Sequence, residues 1–148
     1  MRLNLGCCDN HKVGYINVDR CPPADQIADL DDRWPWPDSS VDFILAHDII
    51  EHLVSPIHTM NEAWRALKRG GRIEIKVPTT DGPGAWQDPT HLSRWNRNSF
   101  LYFTDGAAEW MRFRKHYGIT ARFRVISADL MRHNNAVVDL NIVLEAVK

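Results

Sequence analysis

Short apolar stretches of strand length recur over the first 80 residues of this chain, with turn-forming residues between them. Alternating or continuous apolar runs predict five strands: RLNL (2–5), GYINVD (14–19), QIADL (26–30), VDFILAH (41–47) and RIEIKVP (72–78). The apolar residues between the last two strands recur at helical spacing. They predict a helix from Pro56 to Lys68 that ends at Gly70-Gly71.

The remainder of the chain has a different pattern. A long polar loop containing Gly and Pro follows Pro78, and short helical segments follow it from Ser99 onward. Two long apolar runs, residues 121–131 and 136–147, surround RHNN. They predict an antiparallel hairpin that turns at Asn134-Asn135. Strands that alternate with a helix favour an open α/β sheet with parallel strands, here closed by that hairpin.

Length and composition narrow the class of protein. The chain has 148 residues, which suits a single domain over 1–148. The formal net charge of −1 provides no bulk attraction to nucleic acid or to an anionic membrane. The sequence has no apolar run of membrane-spanning length and no signal-peptide pattern, so we expect a cytoplasmic protein. Its three cysteines do not form a disulfide framework and are expected to be free thiols.

Polar and small residues stand where the predicted strands end, which is where open α/β sheets bind ligands. Gly6 follows the first strand, and a glycine there lets a cofactor approach the backbone. Asp19 ends the second strand, and a carboxylate at that position can accept hydrogen bonds from ribose hydroxyls. Asp29 ends the third strand, and His47 and Asp48 follow the fourth. A lone glycine after a strand is also common in an ordinary turn, so the combination carries the prediction.

In this order, LNLGCC, GYINVD, ADLDD, AHDIIEHL and KRGG resemble the class I S-adenosylmethionine-dependent methyltransferases. The likeness is closest to a small group whose usual opening reads LNLGCG followed by GxxNVD, and it covers residues 2–80 well. It implies a Rossmann-like, doubly wound α/β fold with a mostly parallel seven-stranded sheet and a C-terminal antiparallel hairpin. It also implies S-adenosyl-L-methionine as the cofactor.

The resemblance also implies roles for individual residues. The methionine end of the cofactor is expected to contact Leu5, Gly6, Cys7 and Cys8 through backbone groups. Asp19 matches the acidic residue that binds the ribose, and Asp29 and Leu30 match the segment that contacts the adenine. His47 and Asp48 match residues that face the sulfonium and the incoming acceptor.

Two features depart from the usual pattern. Cys8 stands where the family has a second glycine, so its backbone must adopt dihedrals that a non-glycine residue allows. Asp19 follows Gly6 by thirteen positions, against the roughly 20 residues of a dinucleotide fingerprint. We interpret the short link as a shortened helix, and it disfavours a nicotinamide-binding site.

The candidate catalytic residues are His47, Asp48, His52 and His91. Histidine titrates near neutral pH and suits a base, which methyl transfer needs when the acceptor must lose a proton. Each histidine could instead be a packing or capping residue. The HDIIEH stretch does not match the zinc motif H-E-x-x-H, and although His91 could complete a metal site in space, we predict no metal.

The predicted function is S-adenosylmethionine-dependent methyl transfer to a small-molecule or glycan-type acceptor. Nucleic acid and membrane partners are not expected, and the sequence does not indicate an oligomeric state. Two alternatives stay open: a cofactor-binding protein that transfers no methyl group, and a non-catalytic interaction module with the same fold. We also predict that residues 79–98 form a lid over the acceptor pocket, because loops of that length are usually functional.

Overall fold

The computed structural model of the protein describes residues 1–106 and 108–148. Its seven strands, β1 to β7, are Arg2–Leu5, Ile16–Asp19, Gln26–Ile27, Val41–His47, Leu67–Pro78, Phe123–Arg132 and Val138–Ala146. Its four α-helices, α1 to α4, are Pro56–Ala66, Gly84–Gln87, Ala108–Met111 and Arg114–Tyr117. Two 3-10 helices cover Ile50–His52 and Arg97–Phe103.

All seven strands form one sheet in the order β3-β2-β1-β4-β5-β7-β6. Strands β1 to β5 are parallel, and β7 pairs antiparallel with both β5 and β6. This confirms the predicted α/β fold with a mostly parallel sheet and a C-terminal hairpin. The chain order reverses between β1 and β4, so the carboxyl ends of these strands form the kind of switch point at which such sheets bind ligands.

The core lies on one face of the sheet, where apolar residues of the parallel strands are buried. Leu3, Val18, Ile44 and Ile73, one from each of four neighbouring strands, are fully buried. The strand register places these four residues on the same face of the sheet, and they share a core with Met60 and Ala63 of α1. This packing fixes the strand ends that frame the cleft described below.

Helix α1 begins and packs as its sequence predicts. The side chain of Ser55 caps it by accepting a hydrogen bond from the His58 N–H at 3.2 Å, and Pro56 occupies its first turn. Met60 and Ala63, three positions apart on one face, are fully buried against the sheet. The helix therefore covers one face next to β4 and β5.

The end of α1 differs from the prediction. The helix ends at Ala66 and β5 begins at once with Leu67, so Gly70-Gly71 lies within β5 and does not end the helix. Leu67 is fully buried and pairs with Val41, and this burial outweighs continuation of the helix. A Cβ at Gly71 would lie 3.0–3.2 Å from backbone carbonyl oxygens of Lys68, Val41 and Asp42, so the strand needs a glycine there.

The third predicted strand is shorter than expected. Strand β3 has two residues, Gln26–Ile27, whereas the apolar pattern predicted a strand over residues 26–30. The side chain of Asp29 accepts a hydrogen bond from the Asp31 N–H at 3.0 Å, which turns the chain out of the sheet. Leu30 is then buried in the core instead of pairing at the sheet edge.

The hairpin turns where the sequence predicted, at Asn134-Asn135. The His133 N–H donates to the Val137 carbonyl at 2.9 Å, and the Ala136 N–H donates to the His133 carbonyl at 3.0 Å.

Within the part of the chain that the structure describes, no helix is long and apolar enough to cross a membrane.

The long segment after β5 is ordered by several contacts. Thr79 forms a parallel bridge with Trp95, and α2 lies between them. Trp95 is buried and stacks on Phe100 with ring centroids 4.8 Å apart. The ends of this segment are therefore fastened to the core, and residues 88–93 pass over the carboxyl edge of the sheet.

Candidate functional site

A cleft of about 370 Å³ opens at the carboxyl ends of β1, β2 and β4. It is lined by the end of β2, by residues that follow β1, β2, β3 and β4, and by the segment after β5. The lining residues are Gly6, Cys8, Asp19, Arg20, Ala28, Asp29, Leu30, Asp31, Asp48, Ile49, His52, Leu53 and Thr90.

The loop after β1 brings the backbone close to the cleft. Gly6 has a φ of +62°, and a Cβ at that position would lie 2.6–2.8 Å from the side chain of Ile49. Both facts require glycine, because other residues are strained at this φ and would collide with Ile49. Cys8 also has a positive φ, +41°, so it adopts the left-handed backbone that a second glycine would favour.

Asp19 ends β2 and its carboxylate is well supplied with donors. Its Oδ2 accepts from the Cys8 N–H at 2.9 Å, and its Oδ1 accepts from the Arg20 N–H at 2.8 Å. Partial burial alone would raise the pKa of Asp19, but these N–H groups and the Cys21 thiol hold the pKa below its usual value. The carboxylate is therefore ionised at neutral pH, at the wall of the cleft.

The segment after β3 forms another wall of the cleft and is firmly anchored. The carbonyl of Leu30 accepts a hydrogen bond from Trp34 Nε1 at 3.0 Å, and the Trp34 N–H donates to Glu62 on α1 at 2.8 Å. Asp31 Oδ1 accepts from the Val54 N–H at 2.8 Å. These contacts fix the positions of Asp29 and Leu30 relative to the helix.

The residues after β4 point in different directions. Asp48 has a φ of +53° and lines the cleft, and its carboxylate pairs with Lys76 at 2.6 Å. Burial opposes the charge of Lys76, but this pairing raises its pKa overall. The Nε2 atom of His47 instead lies 2.9 Å from Glu74 on β5.

Three chemically active side chains meet beside the cleft. Glu51 and His52, in the 3-10 helix after β4, lie close to His91 from the segment after β5, and one potential ligand atom from each lies within 4.8 Å of the others. The imidazole rings of the two histidines contact edge to face, with centroids 4.8 Å apart. Burial raises the pKa of Glu51 to about 7.

The cleft brings together most of the residues that the sequence singled out. Seven of them line it: Gly6, Cys8, Asp19, Asp29, Leu30, Asp48 and His52. Leu5 and Cys7 are buried beneath the loop, and both backbone groups of Cys7 are occupied, by the Val18 carbonyl and the Asn10 N–H. His47 and His91 are not among the lining residues: His47 pairs with Glu74, and His91 packs behind His52.

Sequence reasoning did not select Ile49, Leu53 and Thr90 as site residues, although all three line the cleft. Ile49 follows two candidate residues directly, and its contact with Gly6 depends on strand pairing that no local pattern reports. Thr90 stands 38 positions from His52, yet its Oγ1 lies 3.1 Å from His52 Nδ1. The polar DPTH stretch was the available signal for it.

Comparisons with known proteins agree with this geometry. Residues 4–75, which contain β2 to β4, the end of β1 and all of the lining residues except Thr90, match the family model described as a methyltransferase domain. This match spans just under half of the chain, and together with the sheet order it supports a class I S-adenosylmethionine-dependent methyltransferase domain. S-adenosylmethionine is accordingly its cofactor. No curated protein sequence matches the chain.

Solved structures share the fold at low sequence identity. A S-adenosylmethionine-dependent methyltransferase from Archaeoglobus fulgidus has a TM-score of 0.66 at 15% identity, over 97% of this chain and 85% of that one. The Burkholderia thailandensis 1,6-didemethyltoxoflavin-N1-methyltransferase, solved with S-adenosylhomocysteine, has 0.66 at 14% identity, over 99% and 71%. The [4+2]-cyclase SpnF has 0.68 at 11% identity, over 99% and 74%.

Proposed function

We propose that the cleft binds S-adenosylmethionine and that the protein transfers its methyl group to a small-molecule or glycan-type acceptor. The observation that carries this proposal is the pairing of the Asp19 carboxylate with the Cys8 N–H at the junction of β1 and β2. This contact brings the ionised carboxylate of Asp19, which can accept hydrogen bonds, next to the loop that contains Gly6, and both line the cleft.

The lining residues fit the chemical groups of this cofactor. The ionised carboxylate of Asp19 can accept hydrogen bonds from two ribose hydroxyls. Gly6 has no side chain, so a ligand can approach the backbone of the first loop closely. Asp29 and Leu30, held by Trp34, are proposed to contact the adenine, as the resemblance implies.

The protein's main contribution to methyl transfer is alignment. The cofactor supplies a methyl group activated by a sulfonium, and in-line displacement then depends on the position of the acceptor atom. Asp48 is held by Lys76 and faces the cleft, so it can orient an acceptor hydroxyl or amine. We propose that His47 does not contact the acceptor, because its ring is paired with Glu74, and that it instead helps to hold the end of β4 in place.

An acceptor that must lose a proton needs a base at the cleft. His52 is the histidine of the four candidate residues that lines it, and its Nδ1 is held by Thr90. We propose that His52 takes this role and that His91 positions its ring from behind. The preference for a small-molecule or glycan-type acceptor rests on the resemblance, since the cleft residues do not specify the acceptor.

A second candidate function is cofactor binding without methyl transfer. The same fold occurs in the [4+2]-cyclase SpnF, so the fold does not by itself fix the reaction. The family match favours methyl transfer over this alternative, and it also disfavours an interaction module without a ligand.

Calorimetric titration with S-adenosylmethionine and S-adenosylhomocysteine tests the cofactor site. We expect both to bind the wild type, and we expect Asp19→Ala to lose binding while Asp9→Ala, an exposed carboxylate in the same loop, keeps it. Absence of binding by both ligands, or equal binding by the two variants, would contradict the assignment. Incubation with methyl-labelled cofactor and pools of metabolites or glycans then separates transfer, seen as label in an acceptor, from binding alone.

A further inference from the structure

Glu51, His52 and His91 lie in two segments that backbone hydrogen bonds hold together. The N–H groups of Leu92 and Ser93 both donate to the Glu51 carbonyl, at 2.8 and 3.0 Å. The 3-10 helix and the segment that carries His91 are thus held at a fixed separation by their backbones. The side chains between them face a common point, with ligand atoms within 4.8 Å of one another.

The carboxylate of Glu51 lacks a partner at this point. Glu51 is 2% exposed, and among the described residues none forms a hydrogen bond with its Oε2 atom. A buried carboxylate oxygen without a partner is costly, and natural proteins satisfy such atoms with a hydrogen bond, an ordered water or a metal ion.

The two histidines are held so that their Nε2 atoms remain available. Thr90 Oγ1 donates its proton to Asp88 Oδ1 at 2.6 Å, so it accepts from His52 Nδ1 at 3.1 Å. The hydroxyl and the N–H of Thr90 both donate to Asp88 and hold the pKa of that carboxyl below its usual value. His91 Nδ1 faces the carbonyl of Ala85 at 3.4 Å, and a carbonyl can only accept. These contacts favour a proton on each Nδ1 and leave each Nε2 as the candidate ligand atom. His91 Nε2 also lies 3.9 Å from Asp88 Oδ2, which is beyond hydrogen-bond distance.

We propose that Glu51, His52 and His91 form a binding site for a divalent transition-metal ion, with zinc as the first candidate. Two imidazoles and one carboxylate make up a ligand set that zinc uses in sites with an open fourth position. The Thr90 and Ala85 contacts to Nδ1 are the outer-shell hydrogen bonds that usually orient histidine ligands. This proposal revises the expectation from sequence that the protein has no metal.

The side chains must move closer together to hold the ion. Tetrahedral zinc with ligands at about 2.0–2.1 Å places ligand atoms roughly 3.4 Å apart. The largest separation in the cluster is within 4.8 Å, so rotations of the side chains by about an ångström suffice while the backbone stays fixed. His52 is half-buried and can adjust, whereas Glu51 and His91 are buried.

The ion would border the cleft, because His52 also lines it. A metal there can polarise an oxygen of the acceptor and lower the pKa of a hydroxyl group. This use of the ion rests on the proposed function. With metal bound, His52 is a ligand and not a base, so the two roles of His52 are alternatives that metal binding separates.

Titration of the metal-free protein with Zn²⁺ and with Co²⁺ tests the site without any methyl acceptor. We expect one equivalent to bind, and we expect visible Co²⁺ bands of nitrogen and oxygen coordination without thiolate charge transfer. The affinity should fall about tenfold or more in Glu51→Gln and in His91→Ala, and by a factor within about 10–100 in the outer-shell variant Thr90→Val. His116→Ala, which removes an exposed histidine on α4, should bind as the wild type does.

Several results would overturn the proposal. These are the absence of stoichiometric binding, thiolate bands that assign the ion to Cys8 or Cys21, or equal affinity in the wild type and in Glu51→Gln. Glu51→Gln keeps the shape of the side chain, and its circular dichroism and unfolding midpoint show whether it is folded. The cofactor titration, run with a chelator, reports on the proposed function separately, so either proposal can fail alone.

Discussion

The backbone N–H of Cys8 donates to the carboxylate of Asp19 across 2.9 Å, which ties the loop after β1 to the end of β2. This contact exists because Cys8 adopts a φ of +41°. Cys8, at the position where the resemblance leads us to expect glycine, thus adopts the backbone conformation that glycine favours. A non-glycine residue is strained in this conformation, and the loop still lines the cleft.

Relief of this strain is measurable. A left-handed backbone costs a non-glycine residue about 1–2 kcal/mol, part of which glycine returns through the entropy of the unfolded chain. We expect Cys8→Gly to be more stable than Cys8→Ala, which keeps the Cβ, by about 1 kcal/mol in urea unfolding. A glycine variant less stable than the alanine variant would show that the left-handed conformation at this position is wrong.

Gly6 should tolerate alanine worse than Gly14 does. Both have positive φ, +62° and +82°, but a Cβ at Gly6 meets Ile49 whereas none of the described atoms lies within 4 Å of a Cβ at Gly14. We expect Gly14→Ala to cost about 1 kcal/mol from backbone strain, and Gly6→Ala to cost about 1–3 kcal/mol more from overpacking. The additional cost should shrink when Ile49→Ala is combined with Gly6→Ala, and an unchanged cost in the double variant would exclude Ile49 as its cause.

Glu62 accepts a hydrogen bond from the Trp34 N–H and so anchors the segment that carries Leu30. Its ion pair with Arg65 should make the free energy of unfolding depend on pH. Arg65 binds Glu62 through two hydrogen bonds, of 2.8 and 2.7 Å, and this pairing lowers the pKa of Glu62 against the opposing effect of burial. A lowered pKa adds stability above the unfolded-state value of about 4.3, and this stability is lost as the pH falls through the folded-state value.

Glu62→Gln should therefore lower the free energy of unfolding by about 1.5–3 kcal/mol at pH 7, the range for hydrogen bonds to charged groups. The difference from the wild type should shrink as the pH falls below about 4.3. Asp42→Asn, which removes an exposed partner of Lys68, should have a much smaller effect at pH 7. A difference that stays constant from pH 7 to pH 3 would contradict the role of the Glu62 carboxylate.

The segment that carries Thr90 should respond to the cofactor. It borders the cleft through Thr90, and the sequence predicted residues 79–98 to be a lid. We expect hydrogen exchange at residues 88–93 to slow when S-adenosylhomocysteine binds. Residues 68–72, near the amino-terminal end of β5 and away from the cleft, should keep their exchange rates. Unchanged protection across 88–93 in the bound protein would exclude a lid.

The sequence predicted the parallel strands and the hairpin because their apolar runs are local signals. Leu3, Val18 and Ile44 are buried on one face of the sheet, and each belongs to a short apolar run that can be recognised without its neighbours. The early start of β5 was missed because it depends on Leu67 pairing with Val41, a contact between distant segments.

The candidate site shows the same division. Gly6, Asp19 and Asp48 stand at strand ends, so strand prediction placed them at one edge of the sheet. The meeting of Glu51 with His91 depends on how the segment after β5 folds back over that edge, which no periodicity in the sequence records. The side chain of His47 pairs with Glu74 on the neighbouring strand β5, a contact between distant segments that the sequence does not predict.

A crystal structure of the protein with S-adenosylhomocysteine tests the central claim most directly. We predict the ligand in the cleft at the ends of β1, β2 and β4, with its ribose hydroxyls within hydrogen-bond distance of the Asp19 carboxylate and its adenine against Leu30. A ligand bound elsewhere, or a ribose that does not contact Asp19 at full occupancy, would contradict it.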